Sequence, residues 1–217
     1  MNAFTPGACF PAYGPLIERA LRVAATHHQQ QSRKGGAVPY ITHPVAMALI
    51  LQRFGFDDDE LLAAALLHDV VEDTDCTLDE LAAQFPPAVV ETVAALSERK
   101  RDESGAPRPW RDRKLEHIEQ IRSGPFAARV VALADKLHNL LSIQYDLAAG
   151  EDVWSRFNAP RADVLWYHRA MIEAASQDDP RLLPLANAGR AVQGGLEQNE
   201  PARKDWSVRF ATMISRC

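Results

Sequence analysis

The sequence predicts an all-α protein of about eight to ten helices. Three observations carry this. Apolar residues recur at helical spacing in one segment after another. Glycine, proline and capping residues fall where helices start and stop. No two alternating runs are joined by a hairpin signal, and there is no internal repeat.

Taken in order, residues 1–14 are rich in Pro and Gly and read as an irregular lead-in. From Leu16 to Gln31 the positions Leu16, Ile17, Ala20, Leu21, Val23 and Ala24 mark an apolar helix face. Gly35, Gly36 and Pro39 make 32–43 a loop. Pro44 suits the first turn of the next helix, which Gly55 stops after Phe54. The stretch DDDELLAAALLHDVVED, residues 57–73, reads as one buried helix with acids at its N-terminus, where the helix dipole favours them. Thr77 and Glu80 form a capping box that starts a short helix. Pro86 and Pro87 end it, and another helix runs from Ala88 to Ser97. Residues 98–109 read as an exposed polar loop. Helices follow at Trp110–Arg122 and Phe126–Ala148, separated by the turn Ser123-Gly124-Pro125. A linker from Gly150 to Pro160 leads to a helix ending near Ala175, and 180–217 is weakly periodic.

The chain has 217 residues, enough for one domain with a terminal extension. A hydrophobic share of 47% and a charged share of 24% exclude a disordered or fibrous chain. The formal net charge of −5 argues against a nucleic-acid partner but permits a small anionic ligand held by local cations. Cys9, Cys76 and Cys217 lie far apart, without metal or redox spacing, which suits a reducing compartment. No run of 18 apolar residues is present, so no membrane span is expected. The N-terminal residues lack the basic and apolar pattern of a secretory signal. A soluble cytoplasmic protein is expected.

Four positions stand out for chemistry: His43, the adjacent pair His68-Asp69, and Asp135. Two imidazoles and two carboxylates suit a divalent transition metal, whereas a structural zinc site more often uses cysteine. His68-Asp69 follows LLAAALL and Asp135 follows VVALA. Ionisable groups against such runs are costly unless paired or metal-bound. Glu72 and Asp73 lie four residues beyond His68 and Asp69, one helical turn on. That places two more carboxylates where metal-assisted hydrolysis needs a general acid or base.

Arg33-Lys34 precedes a glycine pair on the loop to His43 and offers cations for a phosphate or a base. Residues 98–114 hold seven basic and four acidic residues, so they form either a cationic wall or a solvated loop. Asn139 shares a helix face with Asp135 and offers an amide to a sugar or base. His27, His28, His117, His138 and His168 read as surface or helix-packing residues. No GxxxxGK, GxSxG or GxGxxG is present, which excludes several common nucleotide and hydrolase sites.

The order RKGGAVPYITHP, LLHDVVEDT, LADKLHNL resembles the HD-type hydrolase domain of the RelA/SpoT family over roughly residues 16–170. It is most similar to the stand-alone members called small alarmone hydrolases. The resemblance implies a single HD-domain helical bundle over 1–175, with a C-terminal helical extension over 176–217 packed on it. It implies Mn²⁺, or another divalent transition metal, on His43, His68, Asp69 and Asp135. It gives Glu72 and Asp73 the catalytic work, and Arg33, Lys34 and Asn139 the nucleotide. The implied reaction is hydrolysis of the 3′-pyrophosphate of (p)ppGpp or (p)ppApp, with water attacking the phosphorus on the ribose 3′ oxygen. The chain has no length for the synthetase and regulatory domains of longer members. Gln30 stands where the family has Gly, and Leu141 where it often has Arg; both leave the metal set intact. NADPH stays open as a substrate, as in related animal enzymes. An HD-family nucleotidase or cyclic-dinucleotide phosphodiesterase ranks below these, as does a nucleotide-sensing module without turnover.

Overall fold

The computed structural model describes residues 13–198. Most of the lead-in and the tail beyond residue 198 lie outside the described residues. The α-helices are α1 (Pro15–His27), α2 (Thr42–Arg53), α3 (Asp59–Leu67), α4 (Val70–Asp73), α5 (Leu78–Ala82), α6 (Pro87–Leu96), α7 (Trp110–Arg122), α8 (Phe126–Ala148), α9 (Arg161–Ser176) and α10 (Leu183–Glu197). Short 3-10 turns lie at Trp154–Arg156 and Pro180–Leu182. The described residues hold no strand, only the isolated bridges Ser32–Pro39 and Arg101–Pro107, so the all-α expectation holds.

Local chemistry sets the helix ends. Gly14 caps α1 with Pro15 in its first turn. Asp58 caps α3, accepting from the Leu61 backbone N–H at 3.0 Å. The capping box forms at α5: Thr77 accepts from the Glu80 N–H, and Glu80 accepts from the Thr77 N–H. Pro109 and Pro125 precede α7 and α8, whose bounds are those read from the sequence. α1 ends at His27, short of the predicted Gln31, and α2 starts at Thr42 with Pro44 in its first turn.

Two helices make the centre. Every residue of α3 from Leu61 to Leu67 is buried, and α3 packs against α1, α2, α6 and α8. α8 buries Val130, Val131, Leu133, Leu137 and Leu140 and also meets α6, α7, α9 and α10. α10 lies on α8 and α9 through Leu185, Ala188, Val192 and Leu196. A Cβ at Gly189 would stand 2.9 Å from Ile172 Cδ1, so a glycine lets α10 come this close.

The acidic and apolar stretch before Thr74 needs a larger correction. Residues 57–73 are not one helix. α3 ends at Leu67, and the chain leaves regular geometry at Asp69 (φ −103, ψ −2) before α4. Neighbouring residues on an ideal helix point about 100° apart and do not face each other. The break lets the His68 and Asp69 side chains meet.

Candidate active site

The site gathers where α2, the α3–α4 break and the middle of α8 converge. His43, in the first turn of α2, is 1% exposed, and His68 is 5% exposed. Ligand atoms of His43, His68 and Asp69 all lie within 4.8 Å of one another. Asp135, from α8, places Oδ1 3.1 Å from His43 Nε2. Lys136 is buried, with its ammonium 2.5 Å from Asp135 Oδ2. Tyr40 donates its hydroxyl to Asp69 Oδ2.

The chemistry of this donor set fits a cation. His68 Nδ1 lies 2.9 Å from the Ala65 carbonyl and donates to it, leaving Nε2 to point inward. That Nε2 is buried and has no hydrogen-bond partner, although Asp69 Oδ2 is only 2.8 Å away. Two donor atoms this close, without hydrogen-bond geometry, suit neighbouring positions around a shared cation. The set of two nitrogens with carboxylate oxygens, and no sulfur, fits a divalent transition metal.

Burial pulls the His43 imidazole down to about 4 against the opposing pull of Asp135. Burial also works against the charged form of His68, but the Asp69 carboxylate outweighs it and raises the imidazole to about 9. Burial would raise Asp135, yet the Lys136 ammonium and His43 hold it well below the usual carboxylate range. His138 is pulled down to about 3 by burial and by His43.

Glu72 and Asp73, on α4, sit beside this cluster. The Asp73 N–H donates to the Asp69 carbonyl at 2.9 Å. Lys100 Nζ is 3.1 Å from Glu72 Oε1 and 2.5 Å from Asp73 Oδ1. Glu72 Oε2 accepts from the Glu98 backbone N–H at 2.9 Å. Burial and the nearby Asp69 push the Glu72 carboxyl up. Arg33 donates to Asn139 Oδ1 at 2.7 Å, and Asn139 donates to Asp135 Oδ1 at 2.5 Å. Lys34 stands over the Phe157 ring at 5.3 Å, with Asp73 and Lys100 as electrostatic neighbours. Gly35 has φ +81, and a Cβ there would run into the Arg156 side chain, so this loop needs glycine.

The structure therefore brings together His43, His68, Asp69, Asp135, Asn139 and Arg33, with Glu72 and Asp73 adjoining and Lys34 on the rim. Further residues belong to the site or its support and escape the sequence reading as site residues. His138, expected to be a packing residue, lies with Nδ1 2.7 Å from His43 Nδ1; its i+3 spacing from Asp135 is the available signal. Lys136 and Tyr40 carry no signal of their own in the sequence. Glu98 is buried rather than part of a solvated loop, clamped by Arg113 and Lys114, which answer its charge. Lys100 alone of the basic stretch reaches Glu72 and Asp73 among the ion pairs described.

Fold and site together define an all-α protein with a His/Asp cluster at its centre that could hold a metal ion. The HD domain model matches residues 20–165, and the chain belongs to the HD-domain family. Within it, the chain is similar to mouse guanosine-3′,5′-bis(diphosphate) 3′-pyrophosphohydrolase MESH1, at 40% identity over 126 residues, covering 58% of this chain and 67% of that one. A solved structure described as a metazoan ortholog of SpoT that hydrolyses ppGpp matches with a TM-score of 0.69 and 26% identity, covering 91% of this chain and 99% of that one. A protein of Listeria monocytogenes EGD-e matches with a TM-score of 0.63 and 32% identity, over 72% of this chain and 99% of that one. The resemblance to RelA/SpoT-type HD hydrolases read from the motifs is borne out.

Proposed function

We propose that the protein hydrolyses the 3′-pyrophosphate of alarmone nucleotides, (p)ppGpp and/or (p)ppApp, and releases pyrophosphate. The observation that carries this reading is the convergence of His43, His68 and Asp69 within 4.8 Å, one turn before the paired acids Glu72 and Asp73. The likeness to MESH1 supports the substrate class.

A divalent transition metal, Mn²⁺ by preference, held by His43, His68, Asp69 and Asp135, would supply Lewis acidity at the scissile phosphate. Arg33, Lys34 and Asn139 hold the nucleotide, with Arg33 and Asn139 already joined. Glu72 and Asp73 orient the attacking water and take its proton. Water forms the new bond to the phosphorus on the ribose 3′ oxygen, the P–O3′ bond breaks, and the proton taken up by the carboxylate pair passes to that oxygen as it leaves. Lys100, between the two acids, adds positive charge beside the departing pyrophosphate. In this reading the hydrolase occupies 1–175, residues 176–217 form an extension whose described part, to residue 198, packs on it through α10, and the protein works in the cytoplasm. No helix among the described residues is long and apolar enough to cross a membrane.

The test measures pyrophosphate or phosphate release from ppGpp, ppApp and NADPH with Mn²⁺, with EDTA, and in Asp69→Ala. Turnover of ppGpp or ppApp that both treatments abolish is expected. Turnover of NADPH alone would replace the alarmone reading. Binding of the nucleotides without turnover would make the protein a sensing module.

A further inference from the structure

We propose that His138 is a positioning residue for the cation centre: it accepts the Nδ1 proton of His43 and so leaves His43 Nε2 free as a ligand. The proposal rests on the reading of His43 as a ligand.

The His43 ring has a neighbour at each nitrogen. His43 Nε2 faces Asp135 Oδ1 at 3.1 Å, and His43 Nδ1 faces His138 Nδ1 at 2.7 Å. A neutral imidazole has one N–H. If the proton sits on Nε2, it is given to Asp135 and that nitrogen cannot ligate. If it sits on Nδ1, it is given to His138, and the Nε2 lone pair faces His68 and Asp69. Two ring nitrogens 2.7 Å apart share one proton, so one donates and the other accepts. The rings are tilted by 41° with centroids 4.8 Å apart, an edge contact rather than a stack.

Comparison with His68 shows why a side chain is needed. His68, at the end of α3, gives its Nδ1 proton to the carbonyl of Ala65, three residues back. His43 lies in the first turn of α2, and the carbonyl of Tyr40, three residues back, already accepts the His43 backbone N–H at 2.9 Å. The ring turns instead toward α8. There, Asp135 and His138 stand three residues apart on one face, one at each nitrogen of the same imidazole. Partners of this kind typically change metal affinity by about 10–100-fold.

The test uses the full chain with His138→Ala, which removes the acceptor, and His138→Asn, whose amide oxygen falls near the lost Nδ1. Mn²⁺ affinity is measured by competition with a fluorescent chelator. The expected result is about 10–100-fold weaker binding in His138→Ala. Binding within a few-fold of the unsubstituted chain is expected in His138→Asn, with unchanged metal-free Tm in both. Affinity in His138→Ala within about twofold of the unsubstituted chain, well short of the effect such partners have, overturns the proposal. If that variant fails to fold, ¹⁵N spectra of the unsubstituted chain loaded with diamagnetic Zn²⁺ decide: His43 protonated at Nδ1 supports the proposal, and at Nε2 sinks it. Asp69→Ala separates the two readings. If it too leaves Mn²⁺ affinity unchanged, the metal centre itself fails; if it abolishes binding while His138→Ala does not, only the positioning role fails.

Discussion

His68 Nε2 and Asp69 Oδ2 lie 2.8 Å apart, and the charge of Asp69 keeps a proton on the imidazole up to about 9. A metal at this site competes for the same nitrogen. Between pH 6.5 and 9, metal binding must therefore expel a proton, and Mn²⁺ affinity should fall about tenfold for each pH unit lost in that window. Calorimetry at pH 7 in two buffers of different ionisation enthalpy should report about one proton released per ion; no release would contradict the assignment. The metal-free chain should behave in the opposite sense. Its raised imidazole contributes stability that is complete below about 6.5 and lost as the pH rises through about 9. Denaturant unfolding of the chelated protein at pH 6 and pH 9 checks the sign.

At the scale of elements, the segment after α6 is held by α7. Glu98 is clamped by Arg113 and Lys114, its backbone N–H reaches Glu72, and Lys100, two residues on, reaches Glu72 and Asp73. Burial alone would raise the Glu98 carboxyl, but His117, Lys114 and Arg113 bring it down to about 2. Its stability contribution is thus present above about 4.5 and lost as pH falls toward 2. Glu98→Gln leaves two half-buried cations uncompensated and should cost about 1–3 kcal/mol in urea unfolding at pH 7. The difference from the unsubstituted chain should shrink through that acid window. A loss confined to turnover, with unchanged stability, would show that Glu98 is no clamp.

The same elements show what is legible in the sequence and what is not. Pro109 and Pro125 mark the starts of α7 and α8, and the two runs that end at His68-Asp69 and Asp135 mark the ligands from their apolar flanks. The α3–α4 break is not legible, because LLAAALLHDVVED keeps helical periodicity straight through it. There the structure turns at His68 and Asp69, although local preference would continue the helix. His138 is weakly legible as a site residue, because its partner His43 lies 95 positions away and only the i+3 spacing from Asp135 marks it. Glu98 looks solvated for the same reason, as its cations come from the next helix.

At the scale of the whole molecule, the proposed ligands come from three separate regions of the chain, so an ion there binds the folded state and not the unfolded one. At a free concentration about 100 times Kd, such an ion adds about 2.7 kcal/mol. For a chain of this size that is a rise in Tm of roughly 5–10 °C. Differential scanning fluorimetry with and without Mn²⁺ should show it, and EDTA should remove it. An unchanged Tm at saturating Mn²⁺ would count against a site shared among these helices.

α8 also sets a rule for how this chain tolerates changes in length. It runs unbroken over 23 residues, and Asp135, His138 and Asn139 sit in its middle. One residue inserted between its start and Asp135 rotates everything downstream by about 100° and shifts it by about 1.5 Å. The packed faces on either side leave no slack to absorb that phase error. The stretch 102–107 closes on itself as a surface turn, so one residue more or less there leaves the rest in register. Homologous chains should accordingly vary in length at that turn, while the count from Pro125 to Asn139 stays fixed.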